Sequence, residues 1–141
     1  METKLIATHL QLQHGDTILV IGRCRQDAKG FVVNLGQDCE NVILHFNTRF
    51  NYQKDVNAIV CNFKKLGKWG AEERLNVFPF EQGGKVKISF TFLTSEIKVL
   101  AEGHEFTFPN RLDLDVISYI AVQGDINLRV LKLAPPRRVD E

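Results

Sequence analysis

The sequence predicts an all-β domain, a sandwich or a barrel, on three observations. Phenylalanine, present 10 times, makes up just over half of the apolar set together with Val and Ile, a choice that suits pleated surfaces. Turn signals recur at close spacing: His14-Gly15-Asp16, Asp27-Ala28-Lys29-Gly30, Gly36-Gln37-Asp38, Leu66-Gly67-Lys68, Gln82-Gly83-Gly84, Glu102-Gly103-His104 and Gly124-Asp125. No stretch keeps a helical period for three turns, and short runs separated by regular turns mean strands.

Taken in order, those turns delimit runs at 17–23, 31–35, 41–49, 57–63, 85–92, 96–100, 105–108, 119–123 and 126–133. In 85–92 the alternation is strict. Val86, Ile88, Phe90 and Phe92 share one face, and Lys85, Lys87, Ser89 and Thr91 share the other, as in a half-buried strand. The segment 57–63 puts Ile59, Cys61 and Phe63 on its apolar side. Segments 4–12 and 126–133 alternate in part, and 112–117 has room for one helical turn at most.

The chain has 141 residues, one domain's length, enough to bury roughly two thirds of its unfolded surface without a metal or disulfide. A single domain is expected over 1–134, with 135–141 as a short solvated tail opened by Pro135-Pro136. Lys and Arg number 18 against 17 Asp and Glu, a net charge of +1. So balanced a chain lacks the footprint of a nucleic-acid binder, and the cluster Lys64, Lys65, Lys68 reads as a solvated loop. The first twenty residues hold no apolar core of a signal peptide, and no run is long enough to insert in a membrane. Three cysteines, Cys24, Cys39 and Cys61, cannot all pair within one chain. Reduced thiols and synthesis in the cytosol follow. Cys61 is expected in the core; Cys24 and Cys39, close to turns, are expected exposed and open to oxidation.

One strand face is polar where a bland surface would do. Leu44, Phe46 and Phe50 point one way, while His45, Asn47 and Arg49 point the other at i, i+2 and i+4. Neighbours on a strand face stand about 6.5–7 Å apart, close to the width of a sugar ring. An imidazole, an amide and a guanidinium fork are thus offered to one small polar ligand. Further on, Asn62 lies on the polar side of its strand, and Glu72 and Arg74 share a face just after Trp69, the sole tryptophan. A sugar needs this set: hydroxyls call for amides, carboxylates and guanidinium groups, and its C–H face calls for a flat aromatic.

These residues resemble the galectin signature. His45-Phe46-Asn47-Thr48-Arg49-Phe50, then Val60-Cys61-Asn62, then Trp69-Gly70-Ala71-Glu72-Glu73-Arg74 stand in the family's order. Phe78-Pro79-Phe80, Phe108-Pro109-Asn110-Arg111-Leu112, Tyr119 and Gly124-Asp125 resemble further landmarks, so the likeness covers 5–133. The resemblance implies a jelly-roll-like sandwich of two antiparallel sheets that binds β-galactosides of glycoproteins and glycolipids without metal or cofactor. It implies that His45, Asn47 and Arg49 bind the galactose 4-hydroxyl, that Asn62 and Glu72 hold its 6-hydroxyl, and that Trp69 stacks on the ring. Arg49, Glu72 and Arg74 would form an ion network reaching the second sugar. It also implies export by a non-classical route, hence both cytoplasmic and extracellular locations, and a homodimer built on the terminal strands.

The chain departs from the family pattern in places. Thr48 replaces a common proline and should face the core. Gln53 stands where many members have a second histidine, with Tyr52 and Lys54 beside it, and is a possible contact for an extended glycan. Phe63 replaces a residue that is often small and polar.

Other chemistries fit poorly. Ser89, Ser95 and Ser118 lie in no nucleophile-elbow setting. Glu72 and Glu73, being adjacent, point to opposite strand faces and cannot flank one glycosidic bond. Glu72 is also expected to pair with arginines, which makes a poor general acid. His9, His14 and His104 are too scattered to ligate a metal. A galectin-like scaffold that ignores sugars is the remaining alternative, and a scaffold has no use for the seven polar and aromatic residues together.

Overall fold

In the computed structural model, which describes residues 2–136, every regular element is a strand. In chain order these are β1 (Thr3–Ala7), β2 (Leu12–Gln13), β3 (Thr17–Cys24), β4 (Gly30–Asp38), β5 (Asn41–Tyr52), β6 (Asp55–Lys65) and β7 (Lys68–Trp69). There follow β8 (Glu73–Arg74), β9 (Lys85–Phe92), β10 (Glu96–Ala101), β11 (His104–Pro109), β12 (Val116–Ile117), β13 (Tyr119–Gly124) and β14 (Ile126–Ala134). The strand β9 spans the residues whose alternation is strictest, and its Val86, Ile88, Phe90 and Phe92 are buried as that alternation requires.

Two antiparallel sheets form the sandwich. One runs β1-β13-β4-β5-β6-β7, with β8 also on β6; the other runs β11-β10-β9-β3-β14. A small third sheet pairs β12 with β2. Their inner faces interdigitate. Phe46 of β5 meets Phe90 of β9 edge-on at 5.6 Å between ring centroids and lies parallel to Phe106 of β11 at 6.1 Å. Such aromatic pairs add about 0.5–1.5 kcal/mol beyond their buried area. Thr48 does face the core. It is fully buried, and its hydroxyl bonds the backbone N–H and carbonyl of Phe31, both at 3.1 Å.

Two expectations are corrected, an unbroken strand over 4–12 and the exposure of Cys24. Residues 112–117, with room for one helical turn at most, make none. The Asn110 carboxamide takes the N–H of Leu114 and donates to its carbonyl, Asp113 sits at φ 50°, and the chain then enters β12. The first expected terminal strand, 4–12, is two pieces, because His9 at φ 60° breaks the extended backbone between β1 and β2. Cys24 is buried, not exposed. The strand β3 runs through it opposite Ile126, so proximity to a turn did not bring it to the surface. Burial, helped by the Asp125 carboxylate, pushes its thiol up to about 11. Cys61 is buried as expected, at about 12, and Cys39 is exposed. After β14 ends at Ala134, Pro135 and Pro136 belong to no strand; of the expected tail, residues 137–141 lie outside the described residues.

Candidate functional site

The register of three strands builds the site. His45 of β5 pairs with Asn62 of β6, Asn47 with Val60, and Arg49 with Ala58. Val60 in turn pairs with Arg74 of β8, and Lys64 with Trp69 of β7. Since Phe46 and Thr48 fill the core, His45, Asn47 and Arg49 face outward from the same sheet surface. A cavity of about 330 Å³ opens there, lined by His45, Arg49, Asn62, Trp69, Gly70 and Glu72. Five of the seven residues singled out in the sequence thus line one hollow. Asn47 lies between His45 and Arg49 on the strand, and Arg74 reaches the hollow through Glu72. Gln53 does not line it: it is exposed in the β5–β6 turn at φ 53°, its amide 3.4 Å from the Tyr52 hydroxyl.

The charged wall is a lattice of two guanidinium groups and two carboxylates. Arg49 Nη1 lies 2.5 Å from Asp55 Oδ2 and Arg49 Nη2 lies 3.6 Å from Glu72 Oε2. Arg74 bonds Asp55 through Nε at 3.0 Å and Nη2 at 3.1 Å, and Glu72 Oε1 at 3.4 Å. Hydrogen bonds from Arg74 and then Arg49 hold the Asp55 carboxyl at about 2. The Nε of Arg49 is buried without a partner.

His45 is fixed in orientation. Its Nδ1 lies 2.6 Å from Asn34 Oδ1. A carboxamide oxygen only accepts, so Nδ1 carries the proton and Nε2 offers a lone pair to the cavity. Burial first, and then the Arg49 charge, lower His45 to about 4, so the ring is neutral at physiological pH. Its ring packs 4.6 Å from that of Trp69, while the indole stays 51% exposed. Asn62 is engaged at both ends: Nδ2 donates to Gly70 O at 3.0 Å, and Oδ1 accepts the Phe63 N–H at 2.8 Å. One hydrogen and one lone pair remain for anything else. Among the described residues no cluster of three or more His, Cys, Asp or Glu is arranged to hold a metal.

A model of the galactoside-binding lectins matches residues 3–133. The chain belongs to the galactoside-binding lectin family. Among this lectin's relatives, the 16 kDa beta-galactoside-binding lectin of Gallus gallus is 46% identical over 134 residues, covering 95% of this chain and 100% of the relative. Galectin-1 of Capra hircus is 45% identical over 130 residues, covering 92% and 96%. In structure, CG-16, a homodimeric agglutinin from chicken liver, superposes with a TM-score of 0.91 at 45% identity, over 94% of this chain and 100% of its own. A toad ovary galectin in complex with thio-digalactose gives 0.88 at 38% identity, over 92% and 97%.

In this lectin, sequence reasoning missed Asp55 and Asn34. Asp55 ties both arginines together, yet in the sequence it is one acid after a turn. The signal is its hairpin position: Tyr52 pairs with Asp55, so the acid returns beside the strand that carries Arg49. Asn34 is the single amide in the run 31–35, pairs in register with His45, and is buried.

Proposed function

We propose that this lectin binds β-galactosides in the hollow on β5, β6, β7 and β8, with no bond made or broken. The observation that carries the reading is a single hollow in which the acceptor Nε2 of His45, the Arg49 guanidinium and the half-exposed indole of Trp69 stand together. A hydroxyl can accept from Arg49 and donate to His45 at once, which is the dual role a sugar hydroxyl fills and a simple anion does not. Galactose presents its axial 4-hydroxyl together with an apolar C–H face, the pair of features that this row and the indole match. Asn47 lies in the same row, and Asn62 and Glu72 flank the position of a 6-hydroxyl. A larger cavity of about 550 Å³ meets the hollow at Arg49 and is lined by Lys29, Val32, Tyr52 and Gln123 among others, which gives room for a longer glycan.

Affinity for a disaccharide is modest. The site is open, and about −0.3 kcal/mol per heavy atom gives roughly −7 kcal/mol at best, a dissociation constant on the order of 10 μM to 1 mM after ordering costs. A second copy multiplies that on a glycan-bearing surface. The edges β1 and β14 expose Ile6, Val130 and Leu133 beside unpaired backbone groups, and a homodimer across them covers both. The chain is made in the cytosol and meets its glycans outside cells; no helix among the described residues is long and apolar enough to cross a membrane.

The test is a titration with lactose, with cellobiose as control, read by Trp69 fluorescence. A saturable change with lactose alone supports the reading. No change at tens of millimolar lactose overturns it in favour of the scaffold.

A further inference from the structure

Three of the site residues, Trp69, Glu72 and Arg74, ride on a segment that its own ladder barely holds. The strands β7 and β8 are two residues each, and both pair only with β6. Short edge strands with so few bonds fray, so something else must fix the segment. The side chains beneath it supply that restraint. The Phe63 ring occupies the space where a Cβ on Gly70 would stand, so the backbone after Trp69 lies directly on the ring. Gly70 N–H also donates to Phe63 O at 2.9 Å. The Arg111 guanidinium lies 5.1 Å from the Phe63 ring centroid and 5.0 Å from that of Phe108, and so bridges the two sheets. Its Nη2 then bonds Glu73 Oε1 at 2.9 Å. Glu73 points away from the sugar hollow, between Glu72 and Arg74, which point into the charged lattice.

We propose that Phe63, Arg111 and Glu73 form a clamp that positions the Trp69–Arg74 segment before the sugar arrives. The inference rests on the saccharide reading above and adds positioning residues that touch no sugar. A cation held between two rings and a carboxylate is fixed on three sides. It pins both ends of the loop: Gly70 through the Phe63 ring and β8 through Glu73. A ligand then meets an indole and a carboxylate already in place, and less ordering opposes binding.

The test uses Phe63→Ala, Glu73→Gln, Arg111→Leu and Arg111→Lys in the full chain. The readouts are the fluorescence anisotropy decay of Trp69 without sugar, the lactose dissociation constant and the melting temperature. Phe63→Ala, Glu73→Gln and Arg111→Leu should each give Trp69 a larger fast anisotropy component, and weaken lactose about three- to tenfold, the cost of ordering a side chain or two. Arg111→Lys, which keeps a cation over the rings, should restore much of both. Glu73 is exposed, so Glu73→Gln folds even where a ring or guanidinium deletion does not. If the variants lower the melting temperature but leave Trp69 motion and the lactose constant within about twofold, the residues are structural only and the proposal fails. Should the parent chain itself ignore lactose, the saccharide reading fails; the clamp then stands or falls on the anisotropy alone.

Discussion

In the proposed site His45 can accept a hydroxyl hydrogen only while its Nε2 lone pair is free, so sugar binding should follow the ring's ionisation. The ordinary imidazole titrates near 6.5, but burial and Arg49 lower this one to about 4. Lactose affinity should therefore be level from pH 8 to about 5, where roughly nine tenths of the rings are still neutral. It should halve near pH 4 and fall about tenfold per further unit. Stability follows a different course. Between pH 6.5 and 4 the unfolded chain takes up a proton that the folded ring refuses, so stability declines as pH falls across that window, by about 3 kcal/mol in all. Asp55 acts lower: held at about 2, it stabilises the fold above its ordinary value near 3.8, and that contribution is lost as pH falls from there toward 2. The assay pairs lactose titrations with thermal melts at each pH. Asn34→Asp sets a carboxylate on Nδ1, favours the imidazolium, and should move the binding midpoint up. A midpoint near 6.5 in the parent chain, or no upward move in the variant, refutes the buried, singly oriented ring.

Three further outcomes are expected. Trp69→Ala should weaken lactose by about tenfold or more: half of an indole is exposed, a sugar covers about 60 Å² of it, and that area is worth about 1.5 kcal/mol; calorimetry checks the binding and a melting curve the intact fold. Alkylation of the native chain should label Cys39 alone, with Cys24 and Cys61 reacting only after denaturation, as mass spectrometry of digests will show. Ile6→Glu on the exposed edge of β1 should yield a monomer by light scattering and abolish agglutination, while lactose affinity in solution stays unchanged.

How much of this was legible in the sequence depended on which kind of contact was involved. Period-two alternation is local, so β9 and the outward row His45, Asn47 and Arg49 could be read directly. The jelly-roll order and the meeting of Asn62, Trp69 and Glu72 with that row came through the resemblance, since no local pattern encodes which strands are neighbours. What escaped depends on register. Asp55 sits beside Arg49 only because the hairpin turns at Gln53 and Lys54, and Asn34 meets His45 only because β4 and β5 pair in one register. Cys24 misled because β3 runs one residue past the expected 17–23, so Cys24 keeps the inward parity of Ile18 and Val20. Phe63 was visible as a departure from the family, but its place under Gly70 was not, because that contact joins the tip of a strand to the loop beyond it.

The strand order of the larger sheet sets how far the protein can reach. Its edge at β1 and the proposed sugar hollow at β5 and β6 are separated by β13 and β4. At about 4.8 Å per strand, two copies joined edge to edge at β1 would hold their hollows about 40 Å apart. That gap far exceeds one disaccharide. Such a particle cannot close both hands on a single short ligand; it can only link one glycan-bearing body to another.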